Sequence, residues 1–238
     1  AAGGNLLAEA RLFYLRSCSG KKKGSAEQFA RFEELASQDS DAARILLGDF
    51  YEAGCGVAKD KRRALASYTP AAQNGDRYAQ LALANESEEP GKIFKRVKEI
   101  ADQGYAPAQI QLALLYHNGI GTPKDPQKAF SSFLKAAEQG HTAAQNNLGD
   151  CYAMGLGTQK DPKKAVTWYQ KAAAQGYVHA QVSLSLLYHQ GLGTQKDPQK
   201  SFEYMKMAAE QGHAIAQNHL GDFYALGFGT QSDWQKAF

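Results

Sequence analysis

No stretch of this 238-residue chain approaches the roughly 18 consecutive apolar residues that a membrane-spanning helix needs, and mean hydropathy is −0.50. Cysteine is scarce, with Cys18, Cys55 and Cys151 at unrelated positions. Three irregular thiols do not make a disulfide framework. They fit a reducing compartment, the cytoplasm or, for a protein delivered into another cell, the host cytosol. An excess of one charge is lacking too: 27 basic against 24 acidic residues leave a net charge of +3, with the signs interspersed. That balance speaks against a nucleic-acid groove, which needs a concentrated basic face. An initiator methionine is missing, and the opening Ala1-Ala2-Gly3-Gly4 reads as a trimmed start, so a signal peptide is not excluded. At the other end, Lys236-Ala237-Phe238 repeats Lys128-Ala129-Phe130, the start of a helix that is expected to continue.

What the chain has in quantity is repetition. Blocks open at Gly104, Gly140, Gly176 and Gly212, 36 residues apart. A fixed period in this range marks stacked supersecondary units. In the first block Leu112 and Tyr116 stand at i and i+4 on one helical face, and the run stops at Gly119. Gly119 and Gly121 flank Ile120 and suit a reversal that needs positive φ. Asp125 then reads as an N-cap with Pro126 at the first helical position. The second helix carries Ala129, Phe130, Phe133, Ala136 and Ala137 on its inner stripe. Small residues in that density let two helices pack closely as an αα-hairpin. The same features return at Asp161-Pro162 and Asp197-Pro198, at Gly155/Gly157, Gly191/Gly193 and Gly227/Gly229, and at Tyr152, Tyr188 and Tyr224.

This pattern, AQxxLxxxYxxGxGxxKDPxKAxxxxxKAAxQG, resembles the Sel1-like repeat family, relatives of the tetratricopeptide repeats. The likeness runs from Asp41 to the end. It implies an all-α fold, a right-handed superhelical α-solenoid of antiparallel helix pairs whose first helices line a concave surface. The expected layout is an N-terminal helical cap or degenerate repeat at 1–40, followed by repeats at 41–75, 76–103, 104–139, 140–175, 176–211 and a partial one at 212–238. Within the cap, Ser25 and Gln28 have capping-box spacing. Repeat 76–103 is shortened: an acidic Asn85–Pro90 segment replaces the double-glycine loop and the tyrosine is absent. Pro70 falls inside a second helix and predicts a kink or early break.

A second period overlies the first. Residues 104–139 resemble 176–211 more closely than they resemble their neighbour 140–175, so the array alternates two repeat types with a period of 72. The tetratricopeptide resemblance places Ile110, Leu114, His117 and Asn118 toward the concave face. In the following repeats the equivalents are Asn146, Asp150, Ala153 and Met154, then Val182, Leu186, His189 and Gln190, then Asn218, Asp222, Ala225 and Leu226. An apolar ledge with a histidine thus alternates with an Asn/Asp ledge, a mix suited to a protein segment or extended peptide. A plainer reading has Leu114 and Leu186 sealing neighbouring first helices, and the Asn and Asp residues forming a solvated face.

No residue is assigned to catalysis, to a metal or to a cofactor. Asp150-Cys151 with His189 lacks the orienting group and oxyanion hole that a Cys–His nucleophile requires. His117 and His189 lie two repeats apart, about 20 Å at ordinary helix spacing and too far for one ion. The Gly-x-Gly pairs end helices and follow no strand, unlike a phosphate loop. Lys124, Lys160 and Lys196 recur in register and Lys21–Lys23 form a second basic patch. These permit an alternative partner, an anionic membrane surface. The family resemblance implies a non-enzymatic interaction scaffold or adaptor binding a partner segment in the concave groove, in a bacterial host-interaction or signalling setting or in a eukaryotic adaptor complex. Lipid binding and a regulatory role within a larger enzyme are the alternatives.

Overall fold

The computed structural model describes residues 40–237 except 55, 56 and 87, together with 30, 33, 34, 36 and 37. Expectations for Cys18, Lys21–Lys23, Ser25, Gln28 and Cys55 lie outside the described residues. Among those described there are eleven α-helices and no strand. They are α1 Asp41–Ala53, α2 Lys61–Gln73, α3 Arg77–Ala84, α4 Pro90–Asp102, α5 Ala106–Asn118, α6 Pro126–Glu138, α7 Thr142–Met154, α8 Pro162–Ala174, α9 Val178–Gln190, α10 Pro198–Glu210 and α11 Ala214–Leu226. The chain divides into two compact bodies, residues 1–100 and 101–238. None of the helices is long and apolar enough to cross a membrane.

Within the second body each helix packs on the next, α5 on α6, α6 on α7, and so on to α10 on α11. The local chemistry of one repeat explains why. Asp125, Asp161 and Asp197 each accept the backbone N–H three residues on, at 2.9, 3.1 and 3.0 Å, with a proline at the first helical position. Their own N–H groups donate back to the carbonyls of Tyr116, Tyr152 and Tyr188. That bond fixes where the second helix leaves the first. The reversal between them requires Gly119, Gly155, Gly191 and Gly227 in the left-handed region, φ 67° to 77°. The following glycine has a different task. A Cβ on Gly157, Gly193 or Gly229 would strike the carbonyl of Pro126, Pro162 or Pro198 in the preceding repeat, so backbone rests on backbone across each seam.

Polar side chains stitch the seams. Gln109, Gln145 and Gln217 donate to the carbonyls of Ala101, Ala137 and Ala209, at 3.3, 3.4 and 3.3 Å. Each of those carbonyls lies at the C-terminal end of the preceding helix, where no intrahelical donor exists. Gln139, Gln175 and Gln211 in turn donate to the side-chain oxygens of Gln109, Gln145 and Gln181, at 2.8, 2.9 and 2.9 Å. The first body holds an equivalent of the first bond, Gln80 to the Ala72 carbonyl at 3.1 Å. Its core is Leu46, Phe50, Tyr51, Ala64, Tyr68, Ala71 and Ala79.

Helix α3 has 8 residues where the other first helices have 13, as the Asn85–Pro90 segment predicts. The early break expected at Pro70 does not occur, because α2 runs on to Gln73. Proline removes only its own donor. Its carbonyl still accepts from Asn74 N at 3.0 Å, so the last turn closes. Helix α5 starts at Ala106, two residues before the apolar pattern of the repeat becomes legible.

Candidate functional site

Leu112, Ala113, Leu115 and Tyr116 are all buried, and among residues 112–116 only Leu114 reaches the surface. Leu114 and Leu186, at one repeat position, are each 43% exposed; Met154 and Leu226, one turn further along their helices, are 62% and 79% exposed. In its last two turns each of the four first helices therefore presents one large exposed apolar side chain, with a polar one a turn away in alternating order; α11 also exposes Ile215 in its first turn. The pairs are Leu114/Asn118, Asp150/Met154, Leu186/Gln190 and Asp222/Leu226. Four residues rise about 6 Å along the axis. The exposed apolar position shifts by four residues from each of these helices to the next, and this stagger is how the 72-residue period appears in the pattern of exposure.

The other predicted residues divide. His117, Asn118, Gln190 and Asn218 are exposed. Ile110 and Val182 are half-buried seals. Ile110 packs against the Ala136–Leu148 and Phe133–Cys151 clusters, and Val182 against Met205, Ala208 and Ala216. His189 is half-buried, with its ring 4.5 Å from that of Phe228 and stacked on Phe223 at 6.3 Å. Asn146 is buried and donates to Asp150 Oδ2 at 3.1 Å. The carboxylate of Asp150 is turned to its own repeat, where the Tyr169 hydroxyl donates to Oδ1 at 2.6 Å.

That last contact belongs to a set the sequence reading missed. Where a first helix carries Gly-Asp, the second helix carries Tyr twenty residues after the glycine: Gly48-Asp49 with Tyr68, and Gly149-Asp150 with Tyr169. A Cβ on Gly149 would lie 2.6 Å from Tyr169 Cε1, and one on Gly48 would likewise meet the Tyr68 ring. The glycine gives the ring its seat and the aspartate accepts a hydrogen bond from its hydroxyl. Tyr68 donates to Asp49 Oδ1 at 2.7 Å and also approaches Glu52 Oε2 at 2.9 Å. Where the first helix carries Ala113-Leu114 or Ser185-Leu186, the second has Phe133 or Met205, rings and chains with no hydroxyl to place. In the latter pair Ser185 and Ser201 clasp the helices together, each hydroxyl donating to the other's carbonyl, at 2.7 and 2.9 Å.

Electrostatics follow from these seats. Burial raises the Asp150 carboxyl pKa, and the Tyr169 hydrogen bond partly opposes it. Burial, with the Asp150 charge next to it, pushes the Cys151 thiol up to about 11. A thiol so placed is a packing element and a poor nucleophile at neutral pH. Along the loop edge, Lys128, Lys164 and Lys200 each pair with the cap aspartate three residues earlier, at 2.9, 3.6 and 3.4 Å. The same lysines lie over the rings of Tyr116, Tyr152 and Tyr188. No group of three or more His, Cys, Asp or Glu converges on a metal-sized space among the described residues.

Similarity to known proteins agrees with this geometry. Residues 41–76, 106–141, 142–177, 178–213 and 214–238 match the family model described as Sel1 repeat, and the shortened 77–105 stretch lies between matches. Among curated proteins none matches the chain. Among solved structures, c5321, a protective antigen present in uropathogenic Escherichia coli strains, has an SLR fold. It superposes with a TM-score of 0.76 at 30% identity, over 88% of this chain and 46% of its own. A Sel1 repeat protein from Oxalobacter formigenes gives 0.75 at 28% identity, over 97% and 69%. The immunity protein Pa5087 from Pseudomonas aeruginosa, at 18% identity and a TM-score of 0.59 over 85% and 81%, shares the fold. The chain thus spans less than half of the E. coli antigen's length. Sel1 repeats are in general protein–protein interaction modules and non-catalytic scaffolds. With five matched repeats, the glycine reversals, the aspartate caps and the helix-pair stack, this chain belongs to the Sel1 repeat family.

Proposed function

We propose that this chain is a non-enzymatic docking scaffold whose first-helix faces in residues 101–238 hold an extended segment of another protein. The observation that carries the reading is the stagger of Leu114, Met154, Leu186 and Leu226, an exposed apolar side chain in the last two turns of each successive first helix. Exposed apolar groups spaced by polar ones suit a segment with anchors at intervals and hydrogen-bonding groups between. Asn118, Gln190 and Asn218 supply those polar partners, while Asn146 and Asp150 serve their own repeat. A role in host interaction or immunity is a narrower form of this proposal, suggested by the descriptions of the E. coli and P. aeruginosa neighbours.

The test is selection of peptides from a random displayed library on the 238-residue protein. Selected peptides are expected to share spaced apolar residues and to lose at least tenfold in affinity for Leu114→Lys/Leu186→Lys, whose exposed positions leave the helical content unchanged. Peptides that bind this variant as well as the parent would overturn the assignment. The lipid reading is weaker. Lys124, Lys160 and Lys196 are exposed in register, but Lys128, Lys164 and Lys200 beside them are matched by cap aspartates. The edge alternates in sign, whereas lipid attraction needs clustered cations. Salt-sensitive co-sedimentation with phosphatidylserine vesicles, lost on Lys→Glu changes at 124, 160 and 196, would favour lipid instead.

A further inference from the structure

Charge is sorted within the repeats of residues 101–238. The first helices α5, α7 and α9 hold no lysine, arginine or glutamate, and their single aspartate, Asp150, is taken up by Tyr169 and Asn146. What they expose is apolar, amide or imidazole: Leu114, His117 and Asn118, then Met154, then His179, Leu186 and Gln190. The second helices α6, α8 and α10 carry two, three and two lysines. A helix face left to water is ordinarily charged, and a neutral one is covered without the cost of desolvating ions. One rim of this neutral face is cationic. Lys124, Lys160 and Lys196 are exposed and have no ion pair among the described residues, whereas Lys128, Lys164 and Lys200 are matched by cap aspartates. Their stems lie on the reversal glycines. A Cβ on Gly119 would be 2.8 Å from Lys124 Cγ, and one on Gly155 or Gly191 would be 3.3 or 3.4 Å from the Cβ of Lys160 or Lys196. Those glycines directly follow Asn118, Met154 and Gln190, so the lysines stand at the C-terminal ends of the three helices. The opposite rim, residues 102–105, 138–141 and 174–177, has no lysine or arginine and carries Asp102 and Glu138.

We propose that the protein segment docked across α5, α7 and α9 is acidic along one edge. Its apolar and amide side chains cover the first helices, and its carboxylates reach Lys124, Lys160 and Lys196. This rests on the docking function proposed above and names the partner's chemistry. Charge complementarity selects the occupant. A basic segment would meet three unpaired cations and no free carboxylate on the face, and an uncharged one would leave the lysines unmatched. Neighbouring lysines belong to successive repeats, roughly 10 Å apart at ordinary helix spacing. That is about the screening length at 0.1 M salt, so each lysine acts mainly on its own partner charge. An extended chain covers the distance in about three residues. The row therefore matches carboxylates set at such intervals along a peptide, with apolar residues beside them.

The probe is a random displayed peptide library panned on the 238-residue protein at low salt, about 50 mM NaCl. Each selected peptide is then titrated into the parent, into Lys124→Gln/Lys160→Gln/Lys196→Gln, and into Leu114→Gln/Leu186→Gln, which removes two anchors without adding charge. Circular dichroism checks that both variants keep the parent's helical content. Selected peptides are expected to be net acidic and to lose about tenfold in affinity for the lysine variant, the sum of three exposed ion pairs. Raising NaCl to about 500 mM should reproduce that loss in the parent and change little in the variant. Peptides that need the leucines but bind the lysine variant as tightly as the parent would overturn this inference and leave the docking function standing. Peptides indifferent to the leucines would overturn both. Selected peptides of net positive charge would overturn the acidic assignment. So would phosphatidylserine vesicles that bind the parent and not the lysine variant, which would give the row to lipid.

Discussion

Gly149→Ala separates two opposite expectations. In an ordinary helix interior, replacing glycine with alanine gains about 0.8–1.0 kcal/mol, because the backbone loses less freedom on folding. Here the added methyl would sit 2.6 Å from Cε1 and 2.7 Å from Cδ1 of the buried Tyr169 ring. Overpacking of a filled core costs about 1–3 kcal/mol. Moving the ring also stretches its 2.6 Å bond to Asp150, and a hydrogen bond to a charged partner contributes about 1.5–3 kcal/mol. The losses exceed the propensity gain, leaving a net destabilisation of about 2–4 kcal/mol. For a chain of this size that is roughly 5–15 °C in Tm. The assay is thermal unfolding followed by circular dichroism at 222 nm, with urea unfolding as the check. The companion is the swap Gly149→Ala/Asp150→Leu/Tyr169→Phe, which installs the set found at Ala113, Leu114 and Phe133. It is expected to return within about 1.5 kcal/mol of the parent, the range of volume-conserving repacking. A single Gly149→Ala variant with raised Tm would show that no ring occupies the seat, and the pairing rule would fall.

Three further outcomes follow from the same structure. Ser185→Ala or Ser201→Ala alone should each cost about 1 kcal/mol in urea unfolding, whereas the double variant should cost less than their sum, because Ala113 and Ala129 already pack as that pair elsewhere in the chain. The Cys151 thiol, at about 11 when folded, should react with a disulfide reagent at pH 8 far more slowly than in urea; equal rates would refute its burial. Backbone and side-chain bonds from Lys128 and Lys200 hold the carboxyls of Asp125 and Asp197 below the usual carboxylate range. A depressed folded pKa gives stability that is full above the unfolded value near 4 and fades as pH falls through the folded one. Asp125→Asn/Asp197→Asn should therefore flatten the acid limb of a Tm-versus-pH curve, and an unchanged limb would refute the cap assignment.

Much of the fold was legible because it is written in residues with one local reason each. Asp before Pro, Gly after an apolar run and Ala pairs on a stripe are decided within a few neighbours, and all three recur in register. Pro70 misled because a lone proline near a helix end removes one donor and leaves the last turn intact. The surface was harder to read. The tetratricopeptide resemblance assigned Leu114, Leu186 and Asp150 to the groove; the two leucines are exposed, but the resemblance could not tell that Asp150 would find a phenol. That contact depends on a residue nineteen positions away on another helix. The signal was present in the covariation of Gly149 with Tyr169 and Ala113 with Phe133, visible only when first and second helices are compared across repeats. The glutamine-to-glutamine stitches escaped for the same reason, since each joins residues thirty apart.

Seams closed by Gln109, Gln145 and Gln217 give this array a grammar for losing or gaining length. Excision of residues 140–211 would join Gln139 directly to Gly212, and α6 would meet α11 as it now meets α7: an Ala-Leu repeat ahead of a Gly-Asp one. Every carbonyl would find a glutamine of the kind it already has. Removal of 36 residues would set two like repeats side by side, a junction the chain nowhere contains between 104 and 238. The smallest piece that can be cut or copied without composing a new interface is therefore the couple, and shortened or lengthened versions of this protein should be built in multiples of 72 residues.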